Sequence, residues 1–486
     1  MKKTVLLIQP GSKDVMPRLP INLLPIAAQL LKNGLNPVIL DLRIIDFEDF
    51  RIDWNDVICV GISTYTGPMI LQALATAKKV RAIDAGLPII WGGIHCSILP
   101  DQTIKHELVD AVVKGDGEET MVELARALQK NLPFDGIKGV IFKKNGKIIT
   151  NQPRAWFDLD KEPILPYELL EMEKYHTQEF SINTTKGCPF GCTFCYNLVY
   201  NQRSWRRKSA EKVVQEIAYI VKKWHPEKIM FVEDNAFVDR KRMEKICRGI
   251  IRKRLKFKWI GSTRADYLRS YDDKFMKLLK KSGCWLLTFG AESGSERMLK
   301  VINKGGTVED NFEGVKKLKK YGIIGRISFV YGMPTETRED TLKTIALIKR
   351  MKEVDPRLIV NGLVLATPYP GTPLYDAVKK MCPEMRLFDT LEEWGNWQQY
   401  HVGNQPWLDK RYLGEMECAS TIVRFQCLRD MNADEYFRSK LMVFLIKLAT
   451  SAFNVPAAIR WKYNFYKFGI EWKFWNWVVF RVMGGI

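Results

Sequence analysis

The sequence predicts an α/β protein in three parts: an N-terminal doubly wound Rossmann-like domain, a partial (β/α)6 TIM-like barrel, and a C-terminal mainly helical region. Three observations carry this reading. Short apolar runs alternate with helical periodicity from residue 1 to about 130, a second alternation of six such units runs from about 178 to 375, and beyond 375 the alternation stops. The 486 residues suffice for two or three domains, which excludes a mini-protein or a disulfide scaffold. Lys and Arg number 75 against 55 Asp and Glu, a formal charge of +20. That charge suits nucleic acid, a phosphorylated cofactor or a membrane surface, and does not choose among them.

The opening segment, MKKTVLLIQPG, has a five-residue apolar run before Gln9 and Pro10. This is too short for a signal-peptide core and reads as a first strand, so a cytoplasmic protein is expected. In residues 1–132 the strand candidates are VLLIQ, PVILD, VICVGIS, LPIIWGG and DAVVKGDGEE, with helical patterns such as NLLPIAAQLLKNG and MVELARALQK between them. A doubly wound sheet binds its ligand beyond the carboxyl ends of the strands. Those ends carry Gln9 and Pro10; Ser63, Thr64 and Tyr65; Gly92, Gly93 and His95; and Gly115, Gly117 and Glu118, which are the candidate ligand-contacting residues.

Residues 133–177 contain a hairpin candidate, VIFKKNGKII, whose Asn-Gly centre suits a type I′ turn, followed by a proline-bearing stretch; together they read as a linker. In residues 178–375 strands are expected near FSINTT, KIMFVED, FKWIGST, WLLTFG, RISFVYG and LIVNGLVLA. Six strand-helix units describe an open barrel with its site at the carboxyl ends of the strands. Residues 376–486 form the helical region. Its last 36 residues hold four Trp, five Phe and two Tyr with five Lys or Arg against one Glu, yet basic residues interrupt every run before it could span a bilayer. These aromatics suit either a hydrophobic core or an interfacial anchor.

The most informative segment is KGCPFGCTFCYN, which places Cys188, Cys192 and Cys195 in a C-x3-C-x2-C spacing directly after the first strand of the expected barrel. Three thiolates can hold three irons of a 4Fe-4S cluster and leave the fourth iron open. A structural zinc site would want a fourth Cys or His, and the nearest histidine, His176, precedes the strand.

This loop, with Phe194 just before its third cysteine, resembles that of the radical S-adenosylmethionine (SAM) superfamily, as do FGAESGSERMLKVINKG, YGMPTET and TPYPGTPLYD further on. The resemblance implies that the open iron chelates SAM and that an electron from the cluster cleaves it to an adenosyl radical. It implies SAM contacts at Phe194, at Glu233 and Asp234 after the second strand, and at Glu292 after the fourth; the second-strand segment lacks the usual glycine pair, and an ion pair at the rim is the other reading for Glu292. The N-terminal part is similar to the cobalamin-binding module of a large subclass, through LP at 19–20, LPIIWGGIHCSILP and VVKGDGEET. No D-x-H-x-x-G motif is present, so the resemblance implies cobalamin bound without a histidine beneath the cobalt.

The subclass points to a C-methyltransferase acting on an unactivated carbon of a hydrophobic small molecule or lipid, with an anaerobic cyclase or carbon-carbon bond-forming enzyme as the alternative. It also implies a one-electron donor such as a ferredoxin or flavodoxin. A methylthiotransferase fits less well, since only Cys59 and Cys96 precede the trio, and no nucleic-acid partner is expected. A non-catalytic cobalamin-binding protein would leave the trio without a task.

Overall fold

Parallel strands whose residues are buried on both faces dictate the first layer. All six residues of β1 (Thr4–Gln9) are buried, as a strand covered by helices on each side requires. The computed structural model describes residues 2–12, 17–384, 388–397, 405–430, 440–467 and 469. The chain continues through α1 (Leu24–Lys32), β2 (Asn36–Asp41), β3 (Val57–Ser63), α2 (Met69–Ile83), β4 (Ile89–Gly92), α3 (Ile94–Ile98), α4 (Pro100–Lys105), β5 (Ala111–Val113) and α5 (Glu118–Gln129). The strand order is β2-β1-β3-β4-β5, so the order reverses between β1 and β3, and a ligand crevice opens there.

The expected linker is only partly a linker. Residues 140–150 form the hairpin β6 (Val140–Lys144) and β7 (Lys147–Thr150), and β6 pairs antiparallel with β5, so the hairpin extends the first sheet to seven strands. Its turn residues Asn145 and Gly146 both have positive φ, as a type I′ turn demands. The period-2 pattern showed the hairpin and could not show which edge it joins.

All six expected barrel strands are present and parallel: β8 (Glu179–Ile182), then, after a two-stranded ribbon of β9 (Thr185–Gly187) and β10 (Trp205–Arg207) flanking α6 (Asn197–Tyr200), come β11 (Lys228–Phe231), β12 (Lys258–Ser262), β13 (Cys284–Glu292), β14 (Ile324–Tyr331) and β15 (Ile359–Leu365). The sheet runs β15-β14-β13-β12-β11-β8, and no pairing joins β8 to β15 among the described residues. Outside it lie α7 (Ala210–Trp224), α8 (Arg240–Arg252), α9 (Ala265–Ser270), α10 (Asp273–Lys281), α11 (Glu296–Val301), α12 (Val308–Lys320) and α13 (Arg338–Val354). Their starts are written in the sequence: Ser209 caps α7, and Thr307–Asp310 and Thr337–Asp340 form reciprocal capping boxes on α12 and α13.

The C-terminal region comprises α14 (Pro373–Met381), α15 (Leu391–Asn396), α16 (Lys410–Asp430) and α17 (Lys440–Tyr463), and it is not a separate body. Leu391, Trp394 and Trp397 pack into the core of the first domain beside Ile70 and Leu74. Helix α16 covers the free edge of β15, where the Ser420 hydroxyl bonds both the amide and the carbonyl of Leu363 at 3.2 and 2.8 Å. Most of the aromatic tail, residues 470–486, lies outside the described residues.

Candidate functional site

The carboxyl ends of both parallel sheets face each other across one cavity of about 470 Å³. Its first wall comes from the Rossmann-like sheet, with Ser63, Tyr65, Gly92, Gly93, Gly115, Gly117 and Glu118, and its second from the barrel, with Asn183, Lys186, Tyr196, Glu233 and Asp234. Seven of the eleven residues expected at the ligand edge of the first domain therefore line one space.

The other four do not. Gln9 and Pro10 are buried, and the Gln9 amide donates to the Pro10 carbonyl at 3.1 Å. Thr64 is buried against Cys96 at 3.2 Å. His95 is buried on α3, its Nδ1 sits 3.0 Å from the Thr66 hydroxyl, and its ring meets Trp394 edge-on. Burial disfavours the imidazolium and lowers the His95 pKa from 6.5 to about 4. The C-terminal segment that brings Trp394 against this residue is what sequence alone could not place there.

The glycines at this edge have different tasks. Gly93 has φ +96°, and a β-carbon on it would lie 2.5 Å from the Thr64 carbonyl oxygen, so glycine there serves the packing of two strand ends. Gly92 has ordinary φ, and a β-carbon there would meet Val113 at 3.9 Å, an ordinary contact, so a side chain can start at that position without strain.

On the barrel side, Lys186 lies on β9 two residues before Cys188. The ribbon therefore positions the cysteine loop. The Glu233 carboxylate accepts from the Thr184 amide at 3.1 Å and from the Thr185 hydroxyl at 2.7 Å, which fixes the chain just upstream of the ribbon. Its oxygens are thus committed to the protein, and burial raises its pKa. Asp234 is exposed in the cavity and accepts from the hydroxyl of Tyr196, the residue after the third cysteine, at 2.9 Å. Phe194 packs with Met298, Leu299 and Leu374, anchoring the loop, while the Thr193 amide donates to the Ile302 carbonyl at 3.0 Å. Glu292, expected as a SAM contact with a rim ion pair as the other reading, lies 2.8 Å from the Lys304 ammonium. It has φ 62°, and its carboxylate lies over Gly290, where a β-carbon would come within 1.8 Å of Oε1.

Among the described residues no three metal-ligating side chains are gathered around one point. The donor chemistry nevertheless fits a cluster. Cys188, Cys192 and Cys195 are all partly exposed, and Cys188 and Cys195 feel the charge of Cys192 and of Asp234. Burial first, and then these charges, push the Cys195 thiol up to about 12.

Sequence reasoning passed over the charges that join the two walls. Asp116 and Glu118, after β5, meet Lys186 at 3.3 and 2.6 Å, and Arg206 of β10 also pairs with Asp116. Arg206 stacks on Trp156 at 4.3 Å, and the Phe157 amide donates to Asp116 at 3.0 Å. Burial opposes each charge, but the Glu118 and Asp116 carboxylates hold Lys186 protonated, and Lys186 and Arg206 hold Asp116 below the usual carboxylate range. The signal was present in the sequence, since Asp116 and Glu118 lie in KGDGEE and Lys186 begins KGCPFGC, but nothing in one dimension pairs them.

Comparison with known proteins follows the same division. Residues 17–125 match the B12 binding domain family and residues 182–348 the Radical SAM superfamily. An uncharacterised methyltransferase of Pyrococcus horikoshii is 34% identical over 346 residues, covering 70% of this chain and 72% of the relative. The anaerobic magnesium-protoporphyrin IX monomethyl ester cyclase of Rubrivivax gelatinosus is 27% identical, over 68% of this chain and 59% of the relative. Among solved structures, the radical SAM methyltransferase TsrM of Kitasatospora setae, with cobalamin and a [4Fe-4S] cluster bound, superposes with TM-score 0.65 at 19% identity, over 80% of each chain. The cobalamin-dependent radical SAM enzyme OxsB, with aqua-cobalamin and SAM bound, superposes with TM-score 0.74 at 18% identity, over 99% of this chain and 75% of that one.

The two glycines separate ligand binding from folding. Gly92→Ile is expected to fold normally and to retain less than about a tenth of wild-type cobalamin in absorbance spectra of reconstituted protein, whereas Gly93→Ala should lose folded yield outright. Unchanged cobalamin content in Gly92→Ile would remove β4 from the binding wall.

For His95 the folded pKa lies below the unfolded one. Its contribution is complete above about pH 6.5 and lost as pH falls toward 4, on the order of 3 kcal/mol in all. In His95→Gln, urea midpoints at pH 7 and pH 5 should differ by less than in the wild type; an equal difference in both proteins would contradict the assignment.

Proposed function

The chain belongs to the radical SAM enzymes that carry an N-terminal cobalamin-binding domain, and from that premise we propose that it is a C-methyltransferase acting on an unactivated carbon of a hydrophobic small molecule or lipid. One observation carries the reading: the expected cobalamin edge and the strand end beside the cysteine loop open into the same cavity, so both cofactors and a substrate carbon can share it. The methyltransferase relative, at 34% identity, gives the direction of the chemistry. When bound, the cluster with SAM supplies hydrogen abstraction and the cobalamin supplies the methyl group.

In this reading the protein binds and orients. Cys188, Cys192 and Cys195 hold the cluster, and Asp234, set by Tyr196, offers a carboxylate to the SAM ammonium. Gly92, Gly115 and Gly117 let the corrin approach the strand ends. The charge network around Lys186 keeps the two walls at one spacing, which is the protein's main contribution to proximity. A ferredoxin- or flavodoxin-type donor supplies the electron.

Anaerobic reconstitution with iron, sulfide and cobalamin, followed by incubation with SAM, a reductant and cell metabolites, should yield a product heavier by one CH2 by mass spectrometry. A product lighter by two hydrogens with no added carbon would assign the cyclase reading instead. The variant with all three cysteines changed to Ala should lose the visible cluster absorbance and all SAM cleavage, and four irons per chain in that variant would defeat the ligand assignment.

Peripheral membrane attachment is the second part of the reading. On α17, Val455, Ile459 and Tyr463 recur at helical spacing and are more than half exposed, with Lys462 exposed beside them, while Ala457 on the helix and Tyr466 just after it are buried. No helix among the described residues is long and apolar enough to cross a membrane. An apolar stripe edged by lysine suits anionic lipid, where each basic residue adds about 1 kcal/mol. Flotation with anionic vesicles should be lost on changing Val455, Ile459 and Tyr463 to Ser; equal flotation of both proteins would leave the stripe without this role.

A further inference from the structure

The first strand of the barrel turns two polar groups inward that the protein leaves unpaired. On β8, Phe180 and Ile182 belong to the core between sheet and helices, so strand alternation points Ser181 and Asn183 to the barrel interior, about 7 Å apart. The Ser181 hydroxyl and the Asn183 side-chain oxygen are both buried, and neither has a hydrogen-bond partner among the described residues. Ser181 as a whole is 1% exposed. Strand register shows what surrounds them. Ser181 stands beside Met230, which with Ile260, Leu286, Ile324 and Ile359 forms an apolar floor. One layer nearer the carboxyl ends, Asn183 and Val232 line the cavity, and Ser262 and Thr288 pair side by side on the same inner side. Both are half-buried. Arg326, next in that layer, already has a partner, so the groups left to meet a ligand are neutral.

A buried polar group without a partner is costly, and a ligand that strips water from several such groups must replace the bonds it removes. A bare hydrocarbon replaces none of them. A carboxylate can accept from Ser262 and Thr288, but it has no proton to give the Asn183 oxygen. A hydroxyl both donates and accepts, and therefore satisfies either end of a carboxamide as well as a serine or threonine. We propose that Asn183, Ser262 and Thr288 are specificity-determining residues that receive a neutral, hydroxyl-bearing group of the substrate, with Ser181 beneath them. The peripheral amides of a corrin could donate to the same Asn183 oxygen, and the test below separates the two sources. The inference rests on the reading in which the barrel holds the substrate. It narrows the hydrophobic class to molecules that carry a hydroxyl group at the end entering the barrel.

The test uses anaerobically reconstituted holoenzyme and three probes of one chain length, octane-1,2-diol, 1,2-dimethoxyoctane and octanoate, with affinity measured by equilibrium dialysis. In the wild type the diol should bind about tenfold or more tighter than the diether and the anion. Ser262→Ala and Thr288→Val remove little but a hydroxyl, and each should weaken the diol about threefold or more while leaving diether affinity, cluster absorbance and cobalamin content unchanged. Equal binding of the three probes by the wild type, as expected if these groups hold only water, would overturn the proposal, and so would an undiminished preference in the double variant. Asn183→Leu should likewise lose diol affinity and keep its cobalamin; loss of cobalamin with the diol preference intact would give that carboxamide to the corrin and overturn its part in the site. Wild-type protein that takes up no cluster would instead defeat the reading on which the inference rests, so the two failures are distinguishable. Should the double variant fail to fold, the two single variants give the same comparison.

Discussion

The rest of the site depends on one buried charge network, in which Asp116 and Glu118 of the first domain meet Lys186 and Arg206 of the ribbon that carries the cysteine loop. Desolvating four charges is expensive, and the expense is offset only if each finds its partner in good geometry. Two domains that merely touched could slide, since ordinary interdomain contacts are weak. Carboxylates fixed by the β5–α5 turn and cations fixed by a hydrogen-bonded ribbon admit one arrangement. Removing one member would strand a buried charge and cost about 3–5 kcal/mol. A second network continues it beneath the linker, where Lys208, almost wholly buried, pairs with Glu162 and Glu216 at 2.5 and 2.9 Å. The linker is thus tied at Glu162, through Lys208, to the first helix of the barrel.

The C-terminal region supplies the opposing tie. Residues Leu391 to Trp397 enter the first domain's core, the Trp407 indole donates to the Gly332 carbonyl at the top of β14 at 2.9 Å, and α16 closes the free edge of β15. An exposed parallel edge offers unpaired backbone groups to any passing strand, and covering it with a helix removes that hazard. The same segment clasps both sheets. The cavity is thus bounded by elements that cannot separate without breaking either the charge network or this wrap.

Much of this was legible in one dimension because the physics is local. The six barrel strands and the Rossmann-like strands announce themselves by apolar runs, their helices by 3.6-residue periodicity and capping residues, and the cysteine loop by spacing that few other chemistries need. Ser63, Tyr65, Gly92 and Glu118 were legible as cavity residues because open α/β sheets bind ligands at the carboxyl ends of their strands. What was not legible is what depends on distant pairing. The hairpin at 140–150 carries its own turn signal but no mark of the edge it joins. His95 stands at the right strand end, yet a tryptophan some 300 positions later in the chain covers it. Glu233 and Asp234 are neighbours in sequence with opposite tasks, one bonded inward to Thr184 and Thr185 and the other facing the cavity, and only the pleat of β11 and its successor loop decides which is which.

The strain at Glu292 shows how the barrel tunes its own rim. A glutamate in the left-handed region costs on the order of 1 kcal/mol or more, and it persists only where the surroundings over-determine it. Here the register of β13 against β14 shifts between Gly290 and Glu292, so the strand bulges at its last turn and swings the carboxylate back over Gly290 toward Lys304. Burial disfavours the Lys304 ammonium, and the Glu292 charge more than restores it, leaving a cation held close to Cys192. Positive charge nearby favours thiolates in a loop of three cysteines, and Arg264, seated 3.7 Å over the Phe190 ring of that loop, provides a second such charge beside Cys188. The bulge, the glycine and the strained glutamate are therefore parts of one device: together they hold a lysine beside the cysteine loop, where positive charge favours ionised thiols.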